Sequence, residues 1–236
     1  GGRPVNRVLS ELGFSVYPVK EQEEPDGTFP TVKYANPEEK AVFEIGIKFA
    51  DEIGAKIVMA NDPDADRIGI AVKTKDGSWY YPNGNQVGLL LLQYILNNKK
   101  DISKDAKVIT TVVSTPMIDV VGPAENVGVI KTLTGFKYIG QKIRQFESKE
   151  VEGSYLFGFE ESYGCLIGDY ARDKDAIAAV MALCEAACYY KTQGKTLWDQ
   201  MQEIYKKYGY YKETQVSIVL EGSEGAEKIK QIMNDM

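Results

Sequence analysis

Three aspartates, Asp62, Asp64 and Asp66, alternate in the stretch Asn61-Asp62-Pro63-Asp64-Ala65-Asp66-Arg67. In an extended loop residues two apart project to the same side, so their carboxylates can converge on one hard divalent cation. Without a cation their mutual repulsion is costly so soon after an apolar run, Lys56–Ala60, that reads as a short buried strand. An EF-hand calcium loop does not fit. With Asp62 as its first position, the sixth would be Gly and is Arg67, and the twelfth would be Glu and is Lys73. A solvated acidic turn is the plain alternative. Mg²⁺ takes few protein carboxylates and prefers phosphate oxygens for its other positions, and Arg67 suits bidentate phosphate contact. The stretch therefore points to metal-assisted phosphoryl transfer.

Three further segments place polar groups where elements meet. Gly158-Phe159-Glu160-Glu161-Ser162-Tyr163-Gly164 follows an expected strand and is bounded by glycines. Its carboxylate and hydroxyl would suit a vicinal diol, which offers donors and acceptors together, and an ordinary surface loop is the other reading. Thr134-Gly135-Phe136-Lys137 lies at a strand-to-helix junction and reads equally as a simple turn. Arg172-Asp173-Lys174-Asp175 opens a helix as a charged first turn, with Asp175 as its cap.

The elements that must position these loops follow from periodicity. A helix is expected from Asn36 to about Ile53, with Asn36 as cap, Pro37 at the first position and Gly54 as stop. Strands are expected over Lys56–Ala60 and Ile68–Val72, on either side of the acidic loop, and a hairpin turn over Lys75–Ser78. The pattern restarts with a helix over Asn85–Asn97, strands over Lys107–Val113 and Val127–Thr132, a helix over Lys137–Phe146 and a strand over Tyr155–Phe159. Helices over Asp175–Lys191 and Leu197–Tyr208 follow, the second opened by a capping-box-like Thr196 and Asp199. A strand over Thr214–Leu220 and a charged helix close the chain. This is an α/β pattern of two tandem three-layer α/β domains with mixed sheets, plus the start of a further domain, dividing near Trp79–Asn83. Ligands bind such sheets at the carboxyl ends of strands, where the acidic loop lies.

Bulk properties narrow the chemistry. The 236 residues are 44% apolar and 26% charged, an ordinary globular composition with room for one large domain or two small ones. No histidine is present, which removes Ser-His-Asp and Cys-His nucleophile chemistry. A net charge of −6 without basic clusters argues against nucleic acid as a partner. No apolar run is long enough to span a membrane and no signal peptide is visible, while Gly1-Gly2-Arg3-Pro4 reads like an internal segment. Three cysteines, Cys165, Cys184 and Cys188, suggest reduced thiols and a cytoplasmic protein rather than a disulfide framework.

Taken in order, these segments resemble the α-D-phosphohexomutases, the phosphoglucomutase/phosphomannomutase family. That family's metal loop is usually Asp-Gly-Asp-Gly-Asp-Arg and its sugar loop often Gly-Glu-x-Ser-Gly; Pro63, Ala65, Phe159 and Tyr163 depart from these forms without removing a polar group. The resemblance implies that Asp62, Asp64 and Asp66 hold one Mg²⁺ and that Arg67 contacts the phosphoryl group in transit. It implies that Glu160 and Ser162 hydrogen-bond neighbouring ring hydroxyls and that the loop of Thr134 and Gly135 closes on the substrate. Lys174 matches the Lys of an Arg-Glu-Lys-Asp stretch, a general acid/base that would need a depressed pKa or a phosphate partner. Asn36-Pro37-Glu38 is a weaker match.

The family's four domains set the expected division: 1–80 as a second domain shortened at its N-terminus, 81–208 as the third, and 209–236 as linker and start of the fourth. The phosphorylated-serine loop of the first domain and the phosphate-gripping loop of the fourth have no counterpart in this sequence, so the chain alone is expected to be inactive and to bind Mg²⁺ weakly. The implied reaction is reversible phosphoryl transfer between C1 and C6 of a hexose phosphate through a 1,6-bisphosphate, with glucose favoured and mannose or a pentose as alternatives. The rival of another class is a non-catalytic sugar-phosphate or divalent-cation binding module.

Overall fold

The computed structural model describes residues 1–214 and 220–235. In chain order the elements are α1 (Gly2–Glu11), α2 (Lys20–Glu23), a 3₁₀ turn (Lys40–Phe43), α3 (Glu44–Ile53), β1 (Ile57–Asn61), β2 (Ile68–Lys73), β3 (Trp79–Tyr80), α4 (Gly84–Asn98) and β4 (Ala106–Thr111). They continue with α5 (Ile118–Ala124), β5 (Gly128–Thr132), α6 (Phe136–Glu147), β6 (Ser154–Phe159), β7 (Cys165–Ile167), α7 (Ala176–Thr192), α8 (Leu197–Tyr208) and α9 (Gly222–Asp235). The strand expected over Thr214–Leu220 lies, apart from its two ends, outside the described residues.

The first sheet runs β1-β2-β3 and is antiparallel throughout, so among the described residues only the second sheet has the expected mixed character. Asn61 pairs with Ile68, which makes Asp62 to Arg67 the loop of a hairpin. The second sheet runs β5-β4-β6-β7, its first three strands parallel and β7 antiparallel to β6. Consecutive β4 residues point to opposite faces: Val108 enters a large core with α4, α7 and α8, while Ile109 enters a smaller one with Phe136, Ile139 and Ile143 of α6. Helices thus cover both faces of that sheet, the three-layer arrangement that parallel strands require. The central helix is α7, which packs against α1, β2, α4, β7 and α8. One continuous apolar core therefore extends from Val5 and Ile70 to Leu183 and Tyr205.

Several expectations are corrected. The helix from Asn36 is shorter: α3 starts at Glu44, after the 3₁₀ turn. Asn36 does not cap it, because its side-chain oxygen accepts from the Glu38 N–H two residues on, an Asx turn that competes with helix. Gly54 does end α3, in the left-handed conformation. The β1 strand is half-buried along its length rather than buried, being the edge strand of its sheet, whereas β2 is buried. Three helices and two strands, β3 and β7, were not expected. The α1 helix buries Val5 and Leu9, four residues apart, behind a Gly- and Pro-containing start that reads as non-helical. Four-residue α2 and three-residue β7 are too short for periodicity to register, and α5 carries Pro123. The expected capping box at Thr196 is formed, and a second one, at Asn83 with Gln86, opens α4. Among the described residues no helix is long and apolar enough to cross a membrane, and all three cysteines are free.

The α4–β6 contact is closed by a glycine. A Cβ on Gly88 would lie 2.3 Å from Cδ2 of the fully buried Phe159 ring. Gly88→Ala is predicted to destabilise the fold by about 1–3 kcal/mol, although alanine is the better helix former by about 1 kcal/mol. Urea denaturation measures the difference, and a stabilised variant would contradict this packing.

Candidate active site

The acidic loop is compact, and this corrects the extended geometry expected of it. The Ala65 N–H donates to the Asp62 carbonyl at 3.2 Å, and the Asp66 and Arg67 N–H groups both donate to Asp62 Oδ1 at 3.1 Å. Ala65 takes a left-handed conformation, φ 62°, to close the turn. Convergence comes from this turn and not from strand-like alternation: one oxygen from each of Asp62, Asp64 and Asp66 lies within 4.8 Å of the others. At that separation and an effective dielectric near 20, each pair of charges repels by about 3.5 kcal/mol.

Two cations answer part of that repulsion. Arg67 Nε donates to Asp62 Oδ2 at 2.7 Å, and its Nη1 reaches Glu38 at 3.3 Å and Asn36 Oδ1 at 3.4 Å. Lys174 Nζ lies 2.8 Å from Asp66 Oδ2. Among the described residues Asp66 Oδ1 is buried and has no hydrogen bond, with Arg67 Nε 3.7 Å away, and Asp64 is exposed. A buried carboxylate oxygen without a hydrogen bond, beside two further carboxylates, is a donor set that fits a hard divalent cation such as Mg²⁺. Asp62, with three of its acceptor sites occupied, has one left for a metal.

The charges are set by these contacts. Burial works to raise the Asp62 pKa, but hydrogen bonds from Asp66 and Arg67 hold it below its ordinary value. Asp66 is held above the usual carboxylate range by burial and by Asp62, against the pull of Lys174. Burial opposes the charge of Lys174, yet Asp66 keeps its pKa above the ordinary lysine value. The depressed pKa that would make Lys174 a ready base is therefore not met; it stands as a charged donor.

The other loops close around this lysine. The turn from Glu160 to Gly164 is fixed by the Glu160 N–H to the Gly164 carbonyl, 2.9 Å, with Tyr163 left-handed at φ 69°. The Ile68 N–H donates to the Tyr163 carbonyl at 3.2 Å, and Arg67 and Gly164 form an antiparallel bridge, so this loop and the acidic loop are joined backbone to backbone. A Cβ on Gly164 would lie 2.0 Å from Lys174 Cδ; only glycine lets that side chain pass toward Asp66. Asp175 caps α7, accepting from the Ile177 and Ala178 N–H groups as expected, and the first amide of α7, Ala176, donates to the Ala65 carbonyl at 3.2 Å.

Glu160 is buried and accepts the Gly135 N–H at 2.9 Å. Burial raises its pKa, partly offset by that amide and by Lys174. Lys174 also sits 6.0 Å from the centre of the Phe136 ring. Acidic loop, Lys174, Phe136, Gly135 and Glu160 are thus one continuous set of contacts. Ser162 is half-buried and Thr134 exposed, and neither hydroxyl has a hydrogen-bond partner among the described residues. What sequence reasoning missed is the clamp on Arg67 by Asn36 and Glu38; the signal was the Asn36-Pro37-Glu38 stretch, read first as a helix cap. Glu161 was also passed over, although it accepts from Thr111 and Ser114.

The strand-end loops of this α/β scaffold thus set three converging carboxylates beside a lysine and a buried glutamate, with two hydroxyls that have no hydrogen-bond partner among the described residues. Comparison with known proteins identifies the family. Residues 1–77 match the description "Phosphoglucomutase/phosphomannomutase, alpha/beta/alpha domain II" and residues 83–208 match its domain III. The chain belongs to the phosphoglucomutase/phosphomannomutase family. It is 37% identical over 230 residues to a phosphoglucomutase of Staphylococcus haemolyticus, covering 97% of this chain and 41% of that protein. A phosphoglucomutase of Staphylococcus saprophyticus is 36% identical, with 98% and 42% covered. The chain therefore spans about two fifths of the length of these curated relatives. A phosphoglucomutase/phosphomannomutase family protein from Burkholderia thailandensis shares the fold, with a TM-score of 0.63 at 20% identity over 85% of this chain and 39% of that one.

The left-handed Ala65 occupies a spacer position that is glycine in the family's usual loop. Ala65→Gly is predicted to stabilise the chain by about 1 kcal/mol, by relieving that conformation. Thermal or urea unfolding tests it; a loss of stability would mean that the Ala65 methyl packs more favourably than its backbone is strained.

Proposed function

We propose that this chain carries the metal loop and the sugar loop of a phosphohexomutase that interconverts glucose 1-phosphate and glucose 6-phosphate through glucose 1,6-bisphosphate. The observation that carries the proposal is the joining of the acidic loop to the Glu160 loop through Lys174 and Gly135, which sets a phosphoryl-transfer site against a sugar site. The names of the relatives support glucose as the sugar. We propose the division 1–80, 81–208 and 209–236 for the second domain, the third domain and the linker to a fourth. Free thiols, of which Cys165 is buried and Cys188 exposed, support a cytoplasmic setting, and the charge balance supports small-molecule partners rather than nucleic acid.

In this reading Asp62, Asp64 and Asp66 hold one Mg²⁺. The ion, when bound, supplies charge stabilisation to the phosphoryl group being moved. Arg67, kept in place by Asn36, Glu38 and Asp62, presents its guanidinium to phosphoryl oxygens. Lys174 is the charged donor beside the same group and the candidate proton donor to the sugar oxygen. Glu160 accepts from one ring hydroxyl and Ser162 donates to its neighbour, a pair of contacts that serves the sugar in either orientation. Thr134 and Gly135 close over the ring. The phosphorylated serine and the phosphate-gripping loop come from other domains of the parent protein.

Two outcomes are predicted. The chain by itself, with Mg²⁺ and bisphosphate, gives no turnover of glucose 1-phosphate in a coupled assay; sustained turnover by a clean preparation would contradict the assignment of the missing groups. In the full-length protein Asp64→Asn lowers turnover by roughly 10²–10⁴-fold with the fold intact. Glucose, mannose and ribose 1-phosphates compared side by side identify the sugar, and a folded full-length protein silent on all three would favour a binding module.

A further inference from the structure

Between the two residues assigned to the sugar stands Glu161, whose side chain has a different set of partners. Its Oε2 accepts from Thr111 Oγ1 at 2.9 Å and from Ser114 Oγ at 3.0 Å. Both hydroxyls are almost completely buried at the carboxyl end of β4. Their own segment is held firmly: the Ser114 N–H donates to the Thr111 carbonyl at 3.2 Å, and the Thr115 N–H donates to Asn85 Oδ1 at 3.0 Å, near the start of α4. On its backbone side Glu161 is pressed against the same helix. A Cβ on Gly84 would lie 2.0 Å from the Glu161 carbonyl oxygen and 2.6 Å from the Tyr163 nitrogen.

We infer that Glu161 is a positioning residue: its carboxylate ties the loop to the end of β4 and so sets where Glu160 and Ser162 meet the sugar. The inference rests on reading that loop as the sugar site. The turn's other anchors are backbone bonds to its own end and to the acidic loop. Tyr163 is held left-handed, and Ser162 has no side-chain partner of its own among the described residues. Glu160 is tied to a loop, through the Gly135 N–H, and not to a strand. Glu161 is the member of the turn whose side chain reaches the sheet. Both donors go to one oxygen, so a glutamine, with one carbonyl oxygen, can accept both. An anchoring role therefore survives loss of the charge, whereas a role in proton transfer or charge stabilisation does not.

The test is amide hydrogen exchange over residues 158–164 in this chain, comparing wild type, Glu161→Gln and Glu161→Ala. The inference expects exchange in Glu161→Ala to rise by about 10-fold or more, with Glu161→Gln within about 3-fold of wild type. Unchanged exchange in the alanine variant overturns it, as does a glutamine variant as loose as the alanine one. If Glu161→Ala does not fold, Ser114→Ala removes one of the two donors and decides instead: faster exchange over 158–164 supports the tie and unchanged exchange overturns it. In the full-length protein the same pair of variants is read by kcat/KM for glucose 1-phosphate, where the expected loss is about 10–100-fold for alanine with rescue by glutamine. Exchange does not depend on turnover. A wild-type protein without mutase activity would therefore refute the proposed function while leaving the tie to be judged on exchange alone.

Discussion

The Lys174–Asp66 ion pair is the contact on which the site depends. Asp66 lies in the hairpin loop of the first sheet, and Lys174 lies in the turn that leads from the second sheet into α7. Both side chains are mostly withdrawn from solvent, 17% and 26% exposed, so the pair is screened less than a surface salt bridge. Neither sheet contains a complete site. The first brings three converging carboxylates that repel one another, and the second brings a cation, a buried carboxylate and hydroxyls without a hydrogen-bond partner among the described residues. Docking them answers part of the repulsion and brings the lysine against the acidic loop.

That docking is made by the core as much as by the charges. The α7 helix packs on β2 and α1 from the first unit and on α4, β7 and α8 from the second, and its first amide donates to the Ala65 carbonyl. The backbone bridge between Arg67 and Gly164 fixes the relative height of the two loops. Glycine is needed where these parts cross most closely: Gly164 beneath the Lys174 side chain and Gly84 beneath the Glu161 carbonyl. The acidic loop holds its residual strain at Ala65 and, among the described residues, a buried oxygen without a hydrogen bond at Asp66, both within the proposed metal loop.

Much of this was legible in the sequence because periodicity and capping are local. Helices α4, α6, α7 and α8 and strands β2, β4, β5 and β6 follow from apolar spacing, with helix starts marked by Thr196 and Asp175, and Gly54 marks the end of α3. What was not legible depends on partners distant in sequence. Asn36 satisfies every local rule for a helix cap, yet the residue is held in an Asx turn and reaches Arg67, which no local rule can foresee. The half-buried state of β1 depends on its place at a sheet edge, not on its composition. The carboxylates Asp62, Asp64 and Asp66 were identifiable by type and spacing, but their convergence through a left-handed turn was not. Glu161 could be seen as a residue and not as a role, since its donors, Thr111 and Ser114, come from another strand end.

The central claim is the proposed one, that a cation site on the acidic loop adjoins a sugar site on the Glu160 loop. Paramagnetic relaxation by Mn²⁺, a substitute for Mg²⁺ at oxygen-donor sites, tests it most directly in this chain. The account predicts that amides of residues 62–67 broaden first, followed by those of Gly164, Lys174 and Gly135, with the acidic surface elsewhere little affected. Broadening spread over exposed carboxylates, or centred away from Asp62, Asp64 and Asp66, would contradict it.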